Sequence, residues 1–290
     1  MRFAHLAERA TPTAVPRLAV VTDTGAHFVD ELLDNAPRDL QELIERGPAE
    51  LARVRERAAA IDGAGRPTAE LAHASAVLRP PQVIAVGLNY AAHSSELNLK
   101  TDTAPTLFSL WTNSLTGHEA TTVWPRALSE QVDYEAELGV IIGTAAHNVT
   151  EDAALDYVFG YTVVNDITAR DIQYSEAQWT RCKSFDGFTP TGPVVVTADE
   201  IPDPQVLGIR TVLDGRVLQD ASTGQMVRSV PVLIERLSRE TTLLPGTLIS
   251  TGSPGGAGYS RDPQVFLTDG ASVTVSIDGI GELTTHCRLT

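Results

Sequence analysis

The sequence is poor in the features that mark secreted, membrane or nucleic-acid-binding proteins. Its two cysteines, Cys182 and Cys287, form no CxxC pair and outline no disulfide framework. Each reads as a small core side chain rather than a nucleophile, because free cysteine is usually buried and inert. Basic residues are scarce: 22 Lys and Arg stand against 37 Asp and Glu, a formal net charge of −15. That balance disfavours nucleic acid or an anionic membrane as a partner. The longest apolar runs, such as Leu138-Gly139-Val140-Ile141-Ile142, fall far short of a membrane span. Met1-Arg2-Phe3-Ala4-His5, followed by Glu8, Arg9 and Pro12, does not read as a secretory signal. A cytoplasmic protein is therefore expected. Internal repeats are missing, as is any HExxH or clustered Cys/His pattern for zinc. Gly252-Ser253-Pro254-Gly255-Gly256-Ala257-Gly258 matches neither glycine-rich nucleotide motif. It reads either as a flexible turn or as a loop whose backbone approaches a ligand closely.

What is present is a change of texture along the 290 residues. Arg17 to Val21 followed by Thr22-Asp23-Thr24-Gly25 predicts a strand and a turn. From Asp39 to Ile61, Leu40, Leu43, Ile44, Leu51, Val54 and Ala58 recur at helical spacing, and Pro48 predicts a division into two helices. Breaks at Gly63-Ala64-Gly65-Arg66-Pro67 and Arg79-Pro80-Pro81 set off a small N-terminal α/β domain, residues 1–75, from a body of residues 80–290. In the body, short β-rich runs predominate. Hairpins are predicted around Asp214-Gly215, which suits a type I′ turn, and around Asp278-Gly279. Helices are expected near Ala153 to Val158, Asp171 to Trp179 and Val230 to Leu237. The fold class is α+β, mostly β, not a doubly wound parallel sheet.

Chemistry is suggested by three stretches. Read as one strand, Asp133-Tyr134-Glu135-Ala136-Glu137 places Asp133, Glu135 and Glu137 on one face. Either that face is solvated at a sheet edge, or a cation relieves the repulsion. Asp166 closes the apolar run Tyr161 to Val164, and Thr168 with Asp171 fits a capping box for a following helix. Asn165 and Asp166 are then turn residues, or Asp166 joins Glu135 and Glu137 as an oxygen ligand for Mg²⁺ or Mn²⁺. His93 and Glu96, three apart on a helical turn, form either a surface contact or an imidazole oriented by a carboxylate for general-base work.

Taken in order, these motifs resemble the fumarylacetoacetate hydrolase family over about Val83 to Leu283. The resemblance rests on Gly87-Leu88-Asn89-Tyr90 with His93 and Glu96, on Asp133 to Leu138, and on Gly160 to Asp166. It continues through Ala169-Arg170-Asp171-Ile172-Gln173, Lys183-Ser184-Phe185-Asp186 and Thr251 to Gly256. The resemblance implies a mixed β-sheet roll, often a homodimer. It implies Mg²⁺ (with Mn²⁺ or Ca²⁺ as substitutes) held by Glu135, Glu137 and Asp166. His93 and Glu96 would activate water, Lys183 would stabilise an enolate, and Arg170, Gln173 and Thr251 would line a pocket for a small oxo acid or diketone. The implied reaction is hydrolysis of a C–C bond in a β-diketo or acylpyruvate-type substrate. Decarboxylation of an oxaloacetate-type 2-oxo acid, tautomerisation of an enol acid, or ligand binding without turnover would use the same site. One departure stands out. Leu110 and His118 occupy positions where the family commonly has a lysine and a proline.

Overall fold

The computed structural model describes residues 1–9, 14–91, 96 and 104–290. Strand Ala136–Ile142 is buried along its whole length, which explains its nearly unbroken apolar sequence: a central strand is covered on both faces. It pairs antiparallel with Val158–Asn165 on one side and with Leu248–Ser250 on the other. The solvated edge-strand alternative is thereby overturned. These three strands sit within an eleven-stranded mixed sheet. Beyond Leu248–Ser250 lie Val83–Gly87, parallel to it, and then Thr106–Ser109 at the edge. Beyond Val158–Asn165 lies Thr189–Thr197, and then Arg2–Glu8.

That last pairing, with Arg2 opposite Val196 and Phe3 opposite Val195, joins the leading segment to the body through backbone hydrogen bonds. Arg17–Thr22 and Gly25–Phe28 continue the sheet outward. The two predicted helices are Leu40–Arg46 and Pro48–Ala59, with Gly47 between them. Asp39 accepts the Glu42 amide to start the first helix, and Pro48 opens the second, where its missing N–H does no harm. Leu40, Leu43, Ile44 and Val54 pack with Phe3, Ile141, Val195 and Leu248 in one core cluster.

The opposite face is covered by a second sheet of five strands, in the order Arg216–Ser222, Gly208–Leu213, Ser272–Ile277, Gly281–Leu289, Ala120–Trp124. Along Ser272–Ile277 alternate side chains are buried, as a one-sided strand requires. Val275, Ile277, Ile209 and Leu283 meet Leu138, Val140, Val163 and Val196 in a shared core. Both predicted hairpins form, and Asp214 and Gly215 take the positive φ values of a type I′ turn. The result is the expected mixed, mostly β architecture. Three local expectations fail. The 153–158 segment is a 3₁₀ helix, Glu151–Tyr157. The helix after Asp166 is limited to Arg170–Ser175. No capping box starts it: Thr168 Oγ1 donates to the Asp166 carbonyl, and Asp171 Oδ1 accepts from Ser129.

Candidate metal centre and active site

The site is built where one strand ladder stops. Val132–Asp133 pairs with Thr168–Ala169, and Ala136–Ile142 pairs with Val158–Asn165; residues 134 and 135 belong to neither ladder. In this gap the Glu135 amide donates to Asn165 Oδ1 (3.2 Å), and the Glu135 carbonyl accepts the Asp166 amide (2.9 Å). Two crossing chain segments are thus locked together, and their acidic side chains converge. Asp133, Glu135 and Glu137 do not share one strand face, because the ladder breaks between them. Even so, Glu135, Glu137 and Asp166 are all buried, and one oxygen from each lies within 4.8 Å of the others.

Two cations answer them. Lys183 Nζ donates to Glu135 Oε2 (2.7 Å), Asp166 Oδ2 (2.6 Å) and Thr168 Oγ1 (2.8 Å). Arg170 donates to Asp133 Oδ1 (2.7 Å), Glu135 Oε1 (2.6 Å) and Gln173 Oε1 (2.9 Å). Burial opposes charge on both cations, but Asp133 and Glu135 outweigh it at Arg170, and Asp166 and Glu135 at Lys183; both are held above their ordinary range. Glu137 Oε2 accepts Ser250 Oγ (2.5 Å) and the Gly252 amide (2.9 Å). Burial first, and then the Asp166 and Glu135 carboxylates, push Glu137 up to about 8. Burial likewise pushes Asp166 up to about 6, although Lys183 pulls it down.

Four buried carboxylates, counting Asp133, therefore face two buried cations. The shortfall equals one divalent ion, and a buried charge without a partner is costly. Asp166 Oδ1 is buried and has no hydrogen-bond partner among the described residues, leaving a lone pair aimed at nothing. An all-oxygen donor set of this kind suits Mg²⁺, Mn²⁺ or Ca²⁺. The residues present fit such an ion.

The other candidate residues are placed as follows. Gln173 lines the cleft beside the carboxylates. The described hydrogen bonds of Arg170 all go to protein partners, so it fixes the orientation of Glu135. Thr251 is turned inward, its amide and Oγ1 both donating to the Leu138 carbonyl (3.1 and 2.9 Å). Glu96 rests on the glycine-rich loop, accepting the Gly256 amide (3.0 and 3.1 Å to its two oxygens) and Ser260 Oγ (2.8 Å). His93 lies outside the described residues. Leu110 is buried in the core rather than among the residues lining the cleft. Cys182 is also buried, its thiol pushed up to about 11 by burial, which argues against a nucleophile.

Several contributors, Ser250, Val86, Phe108 and Trp179 among them, escape sequence reasoning. Ser250 and the Gly252 amide hold Glu137, and Gly252 can do so because its φ is +97° and a Cβ there would lie 2.7 Å from Asn89 Cβ. Val86, Leu88, Phe108 and Trp179 complete the cleft. Nothing in their spacing distinguishes them from ordinary core residues.

Comparison with known proteins agrees with this picture. The family described as Fumarylacetoacetate (FAA) hydrolase C-terminal matches residues 82–288. An uncharacterized protein of Staphylococcus epidermidis is 44% identical over 210 residues, 72% of this chain and 69% of its own. The fumarylacetoacetate hydrolase of the psychrophile Exiguobacterium antarcticum superposes with a TM-score of 0.85 at 34% identity, covering 100% of both chains. The 2-hydroxyhepta-2,4-diene-1,7-dioate isomerase of Mycobacterium marinum gives 0.74 at 30%, over 100% of this chain and 99% of that one. The maleylpyruvate hydrolase of Sphingobium sp. SYK-6, crystallised with manganese(II) and pyruvate, gives 0.81 at 25%, again over 100% and 99%.

Proposed function

The chain belongs to the fumarylacetoacetate hydrolase family, and from that premise we propose that it is a divalent-metal-dependent hydrolase cleaving a C–C bond in a β-diketo or acylpyruvate-type (2,4-dioxo acid) substrate. The observation that carries the reading is the buried Glu135–Glu137–Asp166 cluster, two positive charges short, with Lys183 against it. Those three carboxylates would hold Mg²⁺, or Mn²⁺ as in the Sphingobium neighbour. When bound, the ion supplies Lewis acidity for polarising the substrate's oxygens.

The protein supplies the rest. Arg170 and Lys183 hold Glu135 from both sides, and Ser250 with the Gly252 amide holds Glu137, so the carboxylates are oriented before substrate arrives. His93, with Glu96 as its carboxylate partner, takes a proton from water, and the water oxygen adds to the distal carbonyl carbon. The C–C bond then breaks, its electron pair passing to the oxo-acid fragment as an enolate. Lys183 offers positive charge to that enolate, and a proton returned to carbon completes the two products. A second reading, favoured by the isomerase neighbour, omits the water: the same residues move a proton on an enol acid. A homodimer is part of the proposal and is checked by molar mass in solution.

The deciding experiment follows the enol absorbance of acetylpyruvate with Mg²⁺ and then with EDTA. Decay that EDTA stops, with pyruvate and acetate as products, is the expected result. A protein that binds Mn²⁺ but leaves acetylpyruvate intact moves the assignment to the isomerase reading.

A further inference from the structure

The lining of the cleft divides by chemistry. Glu135, Glu137, Asp166 and Lys183 make its charged end, while Leu88, Phe108 and Trp179 are prominent in its apolar part. The two parts abut, since Lys183 Nζ is 5.5 Å from the centroid of the Phe108 ring. Phe108 and Trp179 meet edge to face, with centroids 5.6 Å apart and planes at 68°. Trp179 is half-buried, on the loop after helix Arg170–Ser175. Its ring lies flush on Gly87, where a Cβ would come 2.4 Å from Trp179 Cζ3. Leu88 takes φ of +60°, a region unfavourable for a leucine and tolerated where the surroundings enforce it. The backbone is thus bent in a way that keeps an apolar side chain at the cleft.

Charge points the same way. Among the described lining residues Lys183 is the one cation, and its three protons are already given to Glu135, Asp166 and Thr168. A divalent ion brings the buried cluster to neutrality. One substrate carboxylate then leaves a single negative charge, and a second carboxylate near it would find no further cation among the described lining residues. Like charges held close together in a narrow cleft repel.

Resting on the function proposed above, we infer that the cleft selects oxo acids with a single carboxylate and an uncharged apolar group, alkyl or aryl, at the far end, and discriminates against diacids. Phe108 and Trp179 are the specificity residues, receiving the far group beyond the carbonyl under attack.

A matched pair tests this: 2,4-dioxoheptanoate and 2,4-dioxoheptanedioate differ by a terminal methyl against a terminal carboxylate. Binding to the Mn²⁺-loaded protein is read by thermal shift, and turnover separately by enol absorbance. The monoacid is expected to bind at least about tenfold more tightly, the scale at which pockets separate such substituents. Trp179→Ala is expected to shrink that preference about tenfold and Trp179→Phe to keep most of it. Equal or tighter binding of the diacid, no binding of either, or an equal loss for both acids in Trp179→Ala would overturn the inference. Preferential binding without turnover would leave it standing while removing the hydrolase assignment, so the two failures are distinct.

Discussion

Lys183 has three protons and three protein acceptors, two of them oxygens of candidate metal ligands. A cation entering the cluster competes with the ammonium for those oxygens, and this separates two roles for the residue. Lys183→Met is expected to lower turnover at least about 100-fold, the scale of removing a preorganised charge from a transition state. The same change should strengthen Mn²⁺ binding, measured by electron paramagnetic resonance, because a competing positive charge is gone. Weaker Mn²⁺ binding would make Lys183 a prop for the carboxylates instead. Glu135→Gln should abolish metal-dependent turnover, and full activity in that variant would remove the metal assignment. The three carboxylates were legible because the alternation of acids at Glu135 and Glu137 and the strand-closing Asp166 fall within an ordered set of family motifs. The direction of Arg170 was not. Its partners Asp133 and Glu135 come from far along the chain, and they reach it because the ladder breaks at residues 134 and 135, which no local pattern announces.

Besides the packing of Phe3, strand Arg2–Glu8 is hydrogen-bonded to the helical layer through a neutral histidine. His5 Nδ1 faces the Ser75 carbonyl (3.2 Å), and its Nε2 accepts the Leu40 amide (3.1 Å) at the start of helix Leu40–Arg46. Protonation would turn that acceptor into a second donor aimed at an N–H. Burial accordingly pulls His5 from about 6.5 down to about 4. A lowered folded-state value means the stabilisation is complete above pH 6.5 and is lost as pH falls from there through 4, on the order of 3 kcal/mol in all. His73, also pulled down to about 4 by burial, acts in the same direction, so the useful quantity is a difference between proteins. Urea midpoints at pH 7.5 and 4.5 should show the parent's advantage over His5→Gln shrinking towards acid; an advantage independent of pH would refute the pin. Elements with local signals were readable, namely the Asp214-Gly215 hairpin and the Pro48 division. The helix expected to run to Trp179 stops at Ser175, and the loop released there carries Trp179 to the cleft. Tertiary packing decided that boundary, not propensity.

Across the whole molecule, the site lies at a junction where central strands of the larger sheet end. Glu135 lies in the break before a central strand, Glu137 just inside that strand, Asp166 directly after its neighbour, and Ser250 at the end of the strand on the other side. Strand order is a long-range property. The sequence could announce mostly β structure, but not that Arg2–Glu8 would pair with Thr189–Thr197, because such pairing depends on which faces remain uncovered once other strands have met. If the cluster holds a divalent ion as proposed, stability should depend on that ion. Without an ion, four buried carboxylates share two cations, and unrelieved negative charge there would cost stability. An ion that binds the folded state alone stabilises it by about 2.7 kcal/mol at 100 times its Kd. For a chain of this size that is roughly 5 °C in Tm, taking about 2 °C per kcal/mol. EDTA should therefore lower Tm by about that amount and Mn²⁺ should restore it, while Glu135→Gln should respond to neither. A parent protein whose Tm ignores both reagents would mean that the fold balances these charges unaided, by keeping a proton on Glu137, and that the cluster holds no resident ion.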